Sequence, residues 1–393
     1  MKLSRNTRLM AHRKPRRVTN EPAPVNPTVM RASTLAYDSV ADLNAARARR
    51  TTQQTLSYGA RGTSTTQALE DALTDLEGGA RTQLYPTGLA AIAGVLLSTL
   101  KPGDHLLITD AAYTPARQLV NKMLGPMGID CEFYAANGHD LASRIRADTR
   151  MVYAELPGSL LFEMTDFPKL VAAAKAVNAL VVVDNTWASG WLFNPLHHGA
   201  DVSILAVTKY IGGHSDLVMG AAVCNEQAYR AVGDGAALMG QTCSPDDAYL
   251  ALRGLRTLGA RLAVHGEQAL SVARWLEQQS PVSRVHCPML ESDPGHTLWK
   301  RDFNGGNGLL TIELKDPSIP KRDTFIDALK LFVIGASWGS FESLSLPADP
   351  QASRSVDQAD VSGTYVRLHV GLESVDDLLA DLTQAFAAAE HVS

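Results

Sequence analysis

The sequence predicts an α/β protein, with a mostly parallel sheet in a large domain and a smaller α+β C-terminal domain. Three observations carry this. The short runs His105–Thr109, Met151–Glu155, Leu180–Asp184 and Val202–Ala206 have the length and apolar character of buried strands. Helical patterns, Ala116–Leu124 and Pro168–Val177, fall between them, and such alternation argues for parallel strands covered on both faces. With 393 residues, 45% of them hydrophobic and 20% charged, the chain is long enough for two or three lobes of an ordinary soluble globular protein.

Taken in order, residues 1–24 are basic (Lys2, Arg5, Arg8, Arg13, Lys14, Arg16, Arg17) and then proline-rich (Pro22, Pro24), which predicts an extended arm. No apolar signal region follows the basic residues. A formal net charge of −5 and the lack of interleaved aromatics argue against nucleic acid as a partner. A solvated arm, or one lying across a second subunit, is the plainer expectation. Residues 25–60 are polar and short of core material. A helix then starts near Thr65, with Ala68, Leu69, Ala72, Leu73 and Leu76 at helical spacing and Gly78-Gly79 as its stop. Gln83–Ala91 predicts a strand and a turn opening a small-residue helix. The longest apolar run, Ala90–Leu100, is too short to cross a bilayer, so no membrane role is expected.

After the parallel-sheet region comes a long helical run, Asp246–Gln279, and the change of domain is placed inside it. Thr311–Glu313, Leu331–Val333 and Tyr365–Val370 then read as strands and Val375–Ala388 as a helix. The expected division is an arm over 1–60, a large domain over 61–255 and a C-terminal domain over 256–393. Cys131, Cys224, Cys243 and Cys287 show no ligand spacing; reduced structural thiols in a cytoplasmic protein, and no metal, are the plain reading.

Two residues suggest chemistry. Lys209 stands where the apolar stretch Val202–Val207 gives way to the turn Gly212-Gly213-His214-Ser215. Removal from water favours a neutral amine able to form a Schiff base, although a lysine at a strand end also simply snorkels to solvent. The strand Leu180–Val183 ends in Asp184, and one more strand with its connection fits between the two residues. Both then reach the carboxyl ends of parallel strands, where open α/β sheets bind ligands. A lysine for an aldehyde and an aspartate for a pyridine nitrogen are what pyridoxal 5'-phosphate (PLP) requires.

At these residues the chain resembles the Cys/Met-metabolism family of PLP enzymes from about Val25 to the last helix. Asp184-Asn185-Thr186-Trp187-Ala188-Ser189-Gly190 is similar to its bacterial cystathionine β-lyase branch. The resemblance implies a fold-type-I enzyme with Lys209 as the cofactor-bearing residue and Asp184 at the ring nitrogen. By itself Gly88 is a turn former; the resemblance makes the Gly88 and Leu89 amides phosphate donors, with the Thr208 hydroxyl beside them. Relatives often carry Ser where this chain has Ala206. Tyr113, otherwise an ordinary core tyrosine, is implied to stack on the ring. Arg367, in an apolar strand pattern, needs an anion. A structural ion pair would serve, but the resemblance makes its partner the substrate carboxylate.

Tyr58 and Arg61 match a loop that reaches a neighbouring subunit's phosphate. The family pattern is Tyr-x-Arg, however, and this chain reads Tyr58-Gly59-Ala60-Arg61, so either Arg61 replaces the missing guanidinium or one charge is lost. Ser337 and Trp338, with Trp187 and the segment Glu155-Leu156-Pro157-Gly158-Ser159, lean toward the β-eliminating branch. The implied reaction is α,β-elimination of L-cystathionine, extending to cystine or other cysteine S-conjugates, with Lys209 as base and Tyr58 or Lys209 protonating the leaving sulfur. The alternatives are a γ-acting relative or, from another class, a PLP-bearing regulatory protein. The implied assembly is a homotetramer, a dimer of dimers.

Overall fold

The computed structural model describes residues 4–11, 24–49, 54–356 and 361–391. Seven strands build the large sheet: β1 (Arg81–Tyr85), β2 (His105–Thr109), β3 (Asp130–Tyr134), β4 (Thr149–Glu155), β5 (Leu180–Asp184), β6 (Val202–Ala206) and β7 (Gly220–Cys224), in the order β1-β7-β6-β5-β4-β2-β3. Strands β2 to β6 run parallel, and β7 is antiparallel to both neighbours. The expected mostly parallel sheet is therefore present. A second sheet holds β8 (Val282–His286), β9 (Leu309–Leu314), β10 (Val333–Ile334), β11 (Leu344–Ala348) and β12 (Thr364–His369), in the order β10-β11-β12-β9-β8.

Each face of the large sheet has its own core. Leu69 and Leu73 of helix Ser64–Glu77 and Leu170 of helix Phe167–Ala176 cover one face; Ile92 and Val95 of helix Gly88–Thr99 and Val232 of helix Glu226–Leu238 cover the other. The helix over 64–77 begins in a reciprocal cap between Thr63 and Thr66 and stops at Gly78, whose left-handed φ of 73° suits a residue without a Cβ. A third core lies between the second sheet and helices Leu258–Leu276 and Val375–Glu390.

Several expectations are corrected. The run Asp246–Gln279 is two helices, Pro245–Leu255 and Leu258–Leu276. Gly254 lies so close to the Ile211 and Gly212 carbonyls that no Cβ would fit, and the chain turns just after it. The helix predicted to Leu124 is α-helical only over Thr114–Leu119 and widens into a π-turn over Val120–Leu124. The strand expected at Leu331–Val333 is the two-residue β10. Strands β3, β7, β8 and β11 and the helices at Glu226–Leu238 and Ile319–Ala328 are among the elements that went unpredicted, because each is short or mixed in character and is fixed by its neighbours.

The basic arm is not extended where it is described: Arg5–Ala11 is a helix with Leu9 in the main core. Arg5 donates to the carbonyls of Trp191 (2.5 Å), Leu76 (3.1 Å) and Gly190, and to Asn194 Oδ1 (2.6 Å). Lys2, Arg13, Lys14, Arg16, Arg17 and Pro22 lie outside the described residues. The arm thus ties down the loop after β5. Arg5→Ala is expected to cost about 1–3 kcal/mol of local stability, seen as faster amide hydrogen exchange over residues 188–194 with β5 unaffected. Equal exchange in both proteins would show that this helix does not hold the loop.

Candidate active site

Strand alternation decides which side chains reach the carboxyl edge of the sheet. On β4, Val152 and Ala154 join one core and Met151 and Tyr153 the other; on β5, Val181 and Val183 oppose Val182; on β6, Leu205 opposes Val202 and Ile204. Carrying that period one step further places Glu155, Asp184 and Ala206 on one face at the ends of three adjacent parallel strands. Helix Gly88–Thr99 covers the same face and begins at this edge, with Thr87 capping it through the Ala90 amide at 2.9 Å. A Cβ on Gly88 would fall 2.8 Å from that of Ala206, so the small residues let the helix start close against β6. The Gly88 and Leu89 amides belong to its first turn, where N–H groups have no partner within the helix.

These elements enclose a cavity of about 260 Å³ that brings together Gly88, Leu89, Tyr113, Glu155, Asp184, Thr208, Lys209, Trp338 and Arg367. Lys209 Nζ donates to Ser337 Oγ at 2.8 Å and lies 5.1 Å from the Trp338 ring centroid. Loss of water around the amine, and then the nearby Arg367 charge, bring its pKa down to about 8. Arg367, on β12, donates to the Ser337 carbonyl at 3.0 Å. It has no carboxylate partner among the described residues, and desolvation lowers its pKa to about 10. Asp184 is buried; burial raises its pKa, while the Thr186 amide (3.0 Å) and hydroxyl (2.5 Å), both donating to Oδ1, oppose the rise. Thr208 Oγ1 is already engaged with the Met219 backbone, donating to O at 3.1 Å and accepting from N at 3.0 Å.

Gly339 completes the wall. Its φ of 94° and the closeness of the Lys209 and Tyr210 backbone exclude a side chain, and its N–H donates to His369 Nε2 at 3.0 Å. The loop carrying Ser337 and Trp338 is thereby laid directly over the lysine.

Tyr58 and Arg61 are not brought in. Tyr58 is 52% exposed, and Arg61 lines a separate hollow of about 130 Å³ with Ala60, Glu70, Arg81 and Tyr229. Glu155 is one of the cavity residues absent from the predicted site, with Thr87 and Thr186 among the others. Its signal was available, since it closes an apolar strand with a carboxylate as Asp184 does. Among the described residues no group of His, Cys, Asp and Glu could hold a metal ion, and no helix is long and apolar enough to cross a membrane. The four cysteines are free.

One cavity that joins a desolvated lysine, a buried carboxyl without a cationic partner, the open first turn of a helix and a guanidinium without a carboxylate partner suits an amino-acid substrate and a cofactor that is at once aldehyde, pyridine and phosphate. Those features define the class of PLP-dependent enzymes. The chain belongs to the Cys/Met metabolism PLP-dependent enzyme family, whose sequence profile matches residues 8–387. It is 43% identical over 370 residues to the cystathionine beta-lyase of Escherichia coli K12, covering 92% of this chain and 93% of that protein. The cystathionine beta-lyase of Bordetella avium is 45% identical, covering 93% of each. An L-alanine/L-glutamate racemase of Wolbachia pipientis is 38% identical, covering 92% of each. Among solved structures, cystathionine gamma synthase from Xanthomonas oryzae superposes with a TM-score of 0.90 at 33% identity, covering 99% of both chains.

The lowered Lys209 pKa has a direct consequence. The rate at which the apoprotein takes up PLP should rise about tenfold per pH unit toward pH 8 and level off above it, because the neutral amine is the reactive form. The growth of visible absorbance after mixing measures this. A rise continuing to the ordinary lysine value of 10.5 would mean that the amine is not desolvated.

Proposed function

We propose that this protein is a C–S lyase that cleaves L-cystathionine to homocysteine, pyruvate and ammonia, and that its substrates extend to cystine or related cysteine conjugates. The observation that carries this reading is the placement of Trp338 against Lys209, on the loop that also carries Ser337, at the mouth of a cavity shared with Trp187 and Arg367. The similarity to cystathionine beta-lyases supports it.

Bound PLP would supply an aldehyde for Lys209 and an electron-accepting ring for the charge left at Cα. Gly88 and Leu89 would donate backbone N–H to its phosphate, and Thr208 would add its hydroxyl, now bonded to the Met219 carbonyl. Asp184 would keep the proton on the ring nitrogen, and Tyr113 would cover the ring. Arg367 grips the α-carboxylate with two parallel N–H donors. Lys209 Nζ, partly neutral near pH 8, takes the Cα proton, and Ser337 steadies that nitrogen between steps. Lys209, or a Tyr58 supplied by the neighbouring subunit, returns a proton to the departing sulfur. Trp187 and Trp338 keep the cavity apolar around the thioether.

The assembly we propose is a homotetramer in which the exposed Tyr58, with Arg61 in place of the arginine absent at Ala60, serves the neighbouring subunit's phosphate. The proposed domains are an arm over 1–60, a cofactor domain over 61–255 and a C-terminal domain over 256–393; the break between helices at Arg256 supports the second border. We place the protein in the cytoplasm. Mixing Tyr58→Phe with Lys209→Ala subunits is expected to recover activity that neither has alone, and no recovery after proven subunit exchange would rule out the shared site.

The experiment that tests the reaction is identification of the keto acid released from L-cystathionine by the PLP-loaded protein. Pyruvate with homocysteine is the expected result. 2-Oxobutyrate with cysteine would overturn it and assign γ-elimination instead.

A further inference from the structure

We propose that Glu155 is a positioning residue, fixing Tyr113 at the rim of the cavity by accepting its backbone N–H. This rests on the assignment of the cavity to PLP.

Tyr113 belongs to the short connection between β2 and the helix over Thr114–Leu119, which it caps without a side-chain hydrogen bond of its own. The connection is anchored at other points. Asp110 accepts from Arg117 Nη1 at 2.7 Å and from the Ser355 amide at 3.0 Å, and the Ala111 carbonyl accepts from the Ser159 amide at 2.7 Å. Those bonds hold the residues ahead of Tyr113. Its own amide is held by Glu155 Oε2 at 2.7 Å.

The charge state follows from the neighbours. Glu155 closes β4 beside Asp184 on β5, in register and on the same face. Around it stand Asp184 and Glu163 as acids, Arg354 as a cation, and Tyr113. Arg354 is committed to Glu163 at 2.7 Å. Two carboxylates side by side out of water do not both ionise readily. Burial, and next Asp184, push the Glu155 pKa well above the ordinary carboxylate range. These neighbours favour the protonated form of Glu155, in which one oxygen carries the proton and Oε2 accepts from the Tyr113 amide. Asp184, whose Oδ1 accepts from the Thr186 amide and hydroxyl, is the better supported of the two as the partner of a cationic ring.

A protonated carboxyl and a carboxamide share shape, one acceptor and one donor end, so Glu155→Gln should preserve the function that Glu155→Ala removes. The test is titration of PLP into the apo forms of the full chain, read as visible absorbance, giving a dissociation constant and the pH midpoint of the bound chromophore. Glu155→Gln is expected to stay within about twofold of the parent in affinity. Glu155→Ala should weaken binding about tenfold, the scale of one lost hydrogen bond to a partly buried donor, and shift the midpoint. If Glu155→Ala does not fold, Glu155→Met, which fills the space without an acceptor of comparable strength, takes its place. Equal damage from Gln and Ala would mean that charge matters and would overturn the proposal, as would an Ala variant that binds like the parent. Failure of the cofactor assignment shows elsewhere, in a parent protein that takes up no PLP.

Discussion

Lys209→Ala is expected to abolish the visible absorbance of the PLP-loaded protein and to lower turnover of L-cystathionine by at least about 10³-fold. A positioned proton-transfer group contributes about 10²–10⁴, and the covalent attachment proposed at the same nitrogen would be lost as well. The structure explains why no neighbour substitutes. Ser337 Oγ, 2.8 Å from Nζ, is not a base at neutral pH, and Arg367 remains protonated. The variant should fold, since the lost contacts are that one hydrogen bond and the approach to Trp338. Paired absorbance and turnover measurements check this. A variant that keeps the parent's visible band would remove Lys209 as the attachment point.

Arg367→Ala is expected to lower kcat/KM for L-cystathionine by about 10²–10³, the scale of two charge-assisted hydrogen bonds lost from a desolvated site. Arg367→Lys should restore only part of this, because an ammonium keeps the charge but not the planar fork. PLP uptake should survive in both. Its pH midpoint in Arg367→Ala should move up, since the Arg367 charge is one of the causes of the lowered Lys209 pKa. Steady-state kinetics with the uptake profile separate these effects. If kcat/KM fell less than threefold while the midpoint rose, Arg367 would be an electrostatic neighbour of the lysine and not the carboxylate's partner.

Much of the fold was legible in the chain. Runs such as Leu180–Asp184 announce a strand buried on both faces, and the structure shows why: Val181 and Val183 enter one core and Val182 the other. The Gly78-Gly79 stop, the Gly88 turn and the lysine in the turn after β6 are likewise local facts, set by backbone freedom and burial. Less legible were β7, whose Gly220-Ala221-Ala222-Val223-Cys224 is strand-like only between β1 and β6, and the helix over Arg5–Ala11, which depends on docking Leu9 and Arg5.

The sequence by itself determined the class of fold, the lysine and aspartate at the strand ends, and the arginine in the last strand. Each is written in a short window, as a polar residue at or just past the end of an apolar run or within one. Only the tertiary structure decided that Glu155 stands beside Asp184 and holds Tyr113, that Ser337 joins Lys209 to Arg367, and that Tyr58 and Arg61 lie outside their own chain's cavity. The physical reason is that those relations depend on strand order and register, and on the folding of a distant loop over the sheet edge. No local window of sequence records how far apart two elements end up once each has buried its apolar face.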